Sequence, residues 1–142
     1  MHAPSSPEHL FVYGTLRRAT GHEMQQRLAA HSEFAGDAWF RGRLFMVDDY
    51  PGAVPSARQA DRVRGEVYRL RDPGLILAIL DEYEGCDPDS PATALYRREL
   101  ADVTLDGGGQ VTAWIYLYNR PTTGLQEIES GDFLNVSGAR LA

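Results

Sequence analysis

The segment Leu95–Tyr118, LYRRELADVTLDGGGQVTAWIYLY, holds two runs rich in β-branched and aromatic residues on either side of Asp106-Gly107-Gly108-Gly109. Glycines in so short a connection supply the positive φ angles of a tight hairpin, so Leu95–Leu105 and Val111–Tyr118 are predicted to be paired strands. In the second run Val111, Ala113, Ile115 and Leu117 share one face, while Trp114, Tyr116 and Tyr118 share the other. Side chains alternate across a strand, so one that is apolar on both faces must be covered on both. This strand therefore belongs in the middle of a sheet or in a small barrel.

Upstream lies a predicted helix. Asp72 can cap it, Pro73 suits its first position, Leu75, Ile76, Ile79, Leu80 and Tyr83 form an apolar stripe, and Gly85 stops it. A loop rich in Pro and Asp, residues 86–92, joins this helix to the hairpin. Arg62–Leu70, RVRGEVYRL, alternates Val63, Gly65 and Val67 with charged residues, which predicts a half-buried strand whose glycine marks a close approach. Nearer the start, Leu10–Tyr13 is a short apolar strand stopped by Gly14. Gly21–His31 is a short helix with Met24 and Leu28 four apart, and segments 34–40 and 42–47 have strand-like spacing. Tyr50-Pro51-Gly52 forces a turn or loop. Residues 1–8 are expected to be a flexible polar leader, and 9–142 a single domain without repeat or linker. Strands and helices do not alternate as βαβ units, so the predicted class is α+β: a mixed β-barrel or strongly curved sheet with flanking helices.

The chain has 142 residues, a net charge of −6 and 43% hydrophobic residues, an ordinary composition for a domain able to bury a core. All 14 basic residues are arginine, so Schiff-base and phosphate-loop lysine chemistry is excluded. Negative charge disfavours a nucleic-acid partner, and no apolar run approaches the ~20 residues of a membrane span. Nor does the N-terminal MHAPSSPEHL resemble a secretion signal, so a cytoplasmic location is expected. The single cysteine, Cys86, allows no internal disulfide and sits in an acidic setting that disfavours a thiolate nucleophile. His2, His9, His22 and His31 show no metal-ligand spacing, and GxGxxG, HExxH and GxSxG are absent.

Two short motifs remain as sites of chemistry. Leu80-Asp81-Glu82-Tyr83-Glu84-Gly85 crowds three carboxylates onto a helix C-terminus, where the dipole disfavours anions. Asp81 and Glu84 share a face, so like charge and dipole together are expected to raise the proton affinity of the less solvated one, as a general base near neutral pH requires. A solvated acidic helix end is the bland alternative. Tyr13-Gly14-Thr15-Leu16 is a turn at the end of a buried strand, whose amides can form an anion-binding concavity. A plain tight turn is the bland alternative here.

Together, and in this order, the two motifs resemble those of the gamma-glutamylcyclotransferase-like family, and more particularly its branch acting on gamma-glutamylamines. Phe11-Val12-Tyr13-Gly14-Thr15-Leu16, Tyr50-Pro51, Gly65-Glu66-Val67-Tyr68, Leu80-Asp81-Glu82-Tyr83-Glu84-Gly85, Tyr96-Arg97-Arg98, Ala113-Trp114-Ile115-Tyr116 and the 128–133 stretch carry the likeness. The resemblance implies a barrel-like mixed fold and an enzyme that closes a gamma-glutamyl amide on itself to give 5-oxoproline, with no metal or cofactor. It implies Glu84 as acid/base and Tyr13, Gly14, Thr15 and Leu16 as the substrate-holding loop. Tyr50, Tyr96 and Tyr118 are candidates for the cavity wall, where a phenol can meet a polar ligand, with core packing as the alternative. The implied partner is a small gamma-glutamyl substrate, the protein acting as a monomer or homodimer. A binding domain for a small acidic metabolite is the competing function.

Overall fold

The structure, a computed structural model, describes residues 8–86, 89–90 and 92–135. Residues 1–7 of the expected leader lie outside them. Glu8, which the leader was expected to include, is tied down: its carbonyl accepts from Leu70 N–H at 2.6 Å and its carboxylate pairs with Arg69.

In chain order the elements are β1 (His9–Val12), α1 (Glu23–Ala30), β2 (Ser32–Phe40), β3 (Gly42–Met46), β4 (Pro51–Pro55), β5 (Val63–Leu70), α2 (Pro73–Glu84), β6 (Tyr96–Leu105), β7 (Gln110–Tyr118) and β8 (Gln126–Glu127). Short 3₁₀ turns cover Arg18–Thr20 and Phe133–Asn135. The fold is α+β, built on a five-stranded barrel. Pairing runs β1-β5-β2-β6-β7, and β1 then meets β7 in parallel at Leu10 and Trp114, which closes the ring. From β7 a side sheet continues through β4 and β3 to β8.

Strand alternation sorts the buried residues into two cores. Ala113, Ile115 and Leu117 join Phe11, Val63 and Val67 in one, while Tyr116 and Tyr118 join Leu10, Val12 and the helix residues Leu28, Ile76 and Leu80 in the other. The two-faced burial predicted for β7 is thus accounted for: one face meets mainly strand residues, with Tyr13, Ile128 and Phe133 beside them, and the other meets the helices. At Gly65 a Cβ would strike the Val12 carbonyl oxygen and come within 2.6 Å of the Phe11 ring, so glycine lets β1 lie close against β5. With β1 on one side and β2 on the other, β5 is buried along most of its length rather than half-buried.

Helix α2 starts as predicted, with Leu75 N–H donating to the Asp72 carboxylate, and it ends at Gly85 with φ 70°. Its buried stripe differs from the expected one. Ile76, Leu77 and Leu80 face the core, while Leu75 is 50% exposed and Tyr83 36%, because the helix rests on the barrel along a narrow line. The turn expected at Tyr50-Pro51-Gly52 falls earlier. Val47 N–H donates to Tyr50 C=O, and Pro51 begins β4, a position where its missing N–H breaks no interior pairing.

Candidate active site

The last turn of α2 separates the two carboxylates that the charge pattern alone left as alternatives and between which the resemblance chose Glu84. Asp81 accepts from Arg98 Nε at 2.7 Å, from Arg98 Nη2 at 3.0 Å and from the Tyr116 hydroxyl at 2.7 Å. It is fully engaged in holding α2 to β6 and β7. Glu84 points into a cavity, and among the described residues no side chain or amide hydrogen-bonds or ion-pairs with its carboxyl group. Burial pushes its pKa up from 4.5 to about 7. Like-charge repulsion from Asp81, expected from the sequence, is not the cause: Arg98 answers that charge, and removal from water alone raises Glu84.

Across the cavity stands the loop that follows β1. Tyr13 is buried, its hydroxyl donating to Tyr116 C=O and accepting from Ala53 N–H at 3.1 Å. It locks β1, β4 and β7 together, and its phenol is committed to that work. Burial first, and the Glu84 charge second, hold that phenol far above its ordinary pKa. Gly14 is needed for space rather than for a positive φ, since a Cβ there would come within 2.8 Å of Pro51. The turn closes with Arg17 N–H donating to Gly14 C=O at 3.0 Å, and Thr20 Oγ1 donates to Thr15 C=O at 2.7 Å. Among the described residues the amides of Gly14, Thr15 and Leu16 have no protein acceptor. They remain available to a ligand.

The cavity measures about 320 Å³. Tyr13, Gly14, Thr15, Leu16, Tyr50, Tyr96 and Glu84 all line it, so the structure brings the two motifs into one site. The Tyr96 hydroxyl donates to Pro51 C=O, whereas the Tyr50 hydroxyl has no protein partner among the described residues. Tyr118 is placed differently from the sequence expectation. It stands behind the wall, packed edge-on against Tyr96 with ring centroids 6.0 Å apart. Among the described residues no three His, Cys, Asp or Glu side chains are grouped as a metal ion requires, and no helix is long and apolar enough to cross a membrane.

The family model for "Gamma-glutamyl cyclotransferase, AIG2-like" matches residues 10–135. The chain belongs to the gamma-glutamylcyclotransferase family. It is 34% identical over 127 residues to the family protein YtfP of Escherichia coli strain K12, covering 89% of this chain and 96% of that one. It is 30% identical over 119 residues to gamma-glutamylaminecyclotransferase of Rattus norvegicus, covering 76% of each. The solution structure of E. coli ytfP superposes with a TM-score of 0.60 at 35% identity, over 89% of this chain and 96% of that one. The protein is thus an enzyme of the gamma-glutamylcyclotransferase type.

Sequence reasoning missed two parts of this cyclotransferase's site. Tyr83 and Tyr116 line the cavity, although Tyr83 reads as part of the helix stripe and Tyr116 as a strand residue. Arg17 and Glu66, both buried, anchor the loop from behind. Glu66 accepts from Arg18 N–H at 2.9 Å and from the Tyr68 hydroxyl at 3.0 Å, and lies 3.5 Å from Arg17 Nε, while Arg17 Nη1 donates to Asp132 at 2.7 Å. A glutamate between Gly65 and Val67, the one acidic residue of a strand whose other charges are arginines, was the available signal.

Proposed function

We propose that this cyclotransferase converts a gamma-glutamyl amide into 5-oxoproline and a free amine or amino acid, with Glu84 as the proton carrier. The observation supporting this most directly is a half-buried carboxyl, unpartnered among the described residues and with its pKa pushed up to about 7, that lines the same cavity as the unpaired loop amides. The reaction needs no nucleophile from the protein. The substrate's α-amine attacks its own γ-carbonyl, and holding the chain folded back turns this into a ring closure with effective molarity on the order of 10⁵ M or more. Glu84 as carboxylate takes a proton from the α-ammonium. The free amine forms the new C–N bond, and negative charge moves onto the carbonyl oxygen, where the amides of Gly14, Thr15 and Leu16 offer donors. The original amide C–N bond then breaks as Glu84 returns its proton to the leaving nitrogen, and the second proton of the attacking nitrogen, lost as the lactam forms, passes by way of the Glu84 carboxylate to the departing amine, which leaves as its ammonium ion. Because the group finishes as it began, a pKa near the working pH suits both transfers.

The test incubates the purified protein with gamma-glutamyl amines, gamma-glutamyl dipeptides and glutathione, and measures 5-oxoproline beside the Glu84→Gln variant. Wild-type release that drops by roughly 10²-fold or more in the variant is expected. Equal rates in the two proteins would remove Glu84 from the mechanism. No release from any substrate, with 5-oxoproline still bound, would make the protein a binder.

A further inference from the structure

The geometry points to Tyr83 as a positioning residue that ties the helix turn carrying Glu84 to the loop facing it, with its hydroxyl oriented by His22. This inference rests on the cyclotransferase reading of the same cavity. Among the described residues a single hydrogen bond joins residues 13–17 to residues 81–85, between Tyr83 Oη and Thr15 Oγ1 at 2.8 Å. Without it, the base and the amide donors are joined by hydrogen bonds only indirectly, through Tyr13 to Tyr116 on β7 and from Tyr116 to Asp81. Tyr83 is also poorly buried for a tyrosine on an apolar helix stripe, at 36% exposure, so core packing does not account for it.

The direction of the bond follows from His22. Its Nδ1 accepts from Met24 N–H at 3.0 Å as the N-cap of α1, which leaves the proton of the neutral ring on Nε2. That Nε2 lies 3.3 Å from Tyr83 Oη, and the two rings meet nearly edge-on with centroids 5.5 Å apart. With Nε2–H donating to Oη, the Tyr83 O–H donates to Thr15, and the Thr15 hydroxyl keeps its own proton for the cavity. The chain His22, Tyr83, Thr15 therefore presents one oriented donor beside the loop amides. Thr15 touches the ligand, while Tyr83 and His22 act through it.

A double-mutant cycle on the full chain tests this. Tyr83→Phe and Thr15→Val are each expected to lower the rate of 5-oxoproline release about tenfold, and the double variant to lose no more than the worse single, because one link is broken in all three. Thr15→Ser keeps the hydroxyl and is expected to stay within about twofold of wild type, and His22→Asn, which retains a cap acceptor, to move toward Tyr83→Phe. A second readout needs no turnover: in the unliganded protein, Tyr83→Phe should lower hydrogen-exchange protection of the Arg17 amide that closes the loop on Gly14. Losses that multiply in the cycle, or a Tyr83→Phe variant with wild-type rate and wild-type protection, overturn the proposal. If the wild type itself releases no 5-oxoproline, the catalytic reading fails and Arg17 protection alone decides whether Tyr83 orders the loop.

Discussion

Glu84 costs the fold stability in order to be useful. Unfolded, it loses its proton near 4.5; folded, near 7. Between those values the folded chain holds a proton that the unfolded chain has released, so stability falls as pH rises through this window. The charged form above pH 7 costs up to about 3 kcal/mol. Glu84→Gln removes that charge, and its melting temperature is expected to gain on wild type by several degrees between pH 4.5 and pH 8, at roughly 2–4 °C per kcal/mol. Thermal scans of both proteins across that range check this, and a difference that is flat with pH would contradict the burial argument. As the base, Glu84 should also give kcat/KM an ascending limb with its midpoint near 7, absent from the Gln variant.

At the scale of elements, α2 does two jobs one turn apart. Asp81→Asn removes the charge of a carboxylate held by three hydrogen bonds, keeps one acceptor oxygen, and leaves Arg98, 4.4 Å from the Trp114 ring centroid, without an ion-pair partner among the described residues. A loss of about 2–3 kcal/mol in chemical denaturation is expected, with turnover reduced far less than by Glu84→Gln. The converse pattern would mean that the roles of the two carboxylates are exchanged. The sequence made the helix and both ends of the motif legible, because capping, periodicity and a stop at glycine are local properties. Local pattern alone did not separate Asp81 from Glu84, a choice that rested on the family resemblance, since the discriminating partner, Arg98, arrives from β6. Strand β4 was unreadable for a related reason: Pro51 and Gly52 are turn residues by composition. The tight fit of Gly52 against Tyr118, where a Cβ would come within 2.9 Å, belongs to a neighbouring strand. Tyr118 was placed on the cavity wall from its phenol, whereas its ring supports Tyr96 from behind.

Across the whole molecule, the loop after β1 is held from opposite ends of the chain. Arg17 sits between Glu66 on β5 and Asp132 after β8. Arg17→Met leaves the buried Glu66 carboxylate undercompensated and is expected to cost about 3–5 kcal/mol, whereas Asp132→Asn, at the more exposed end, should cost nearer 1 kcal/mol. Denaturant titration of the two variants separates these outcomes, and similar losses would show that the chain of charges acts as one unit.

The parallel seam between β1 and β7 governs when the enzyme can come into being. The Tyr13–Tyr116 bond spans 103 residues of sequence, so β1 emerges from the ribosome well before the strand that completes its pairing. Closing so long a loop is entropically costly, and contacts of this separation slow folding. Until β7 has emerged, β1 can pair only with β5, and a nascent or truncated chain carries an open sheet edge where the finished protein has the β1–β7 seam. Ring closure therefore waits on the synthesis of β7, and until then the exposed edge is open to chaperones and proteases.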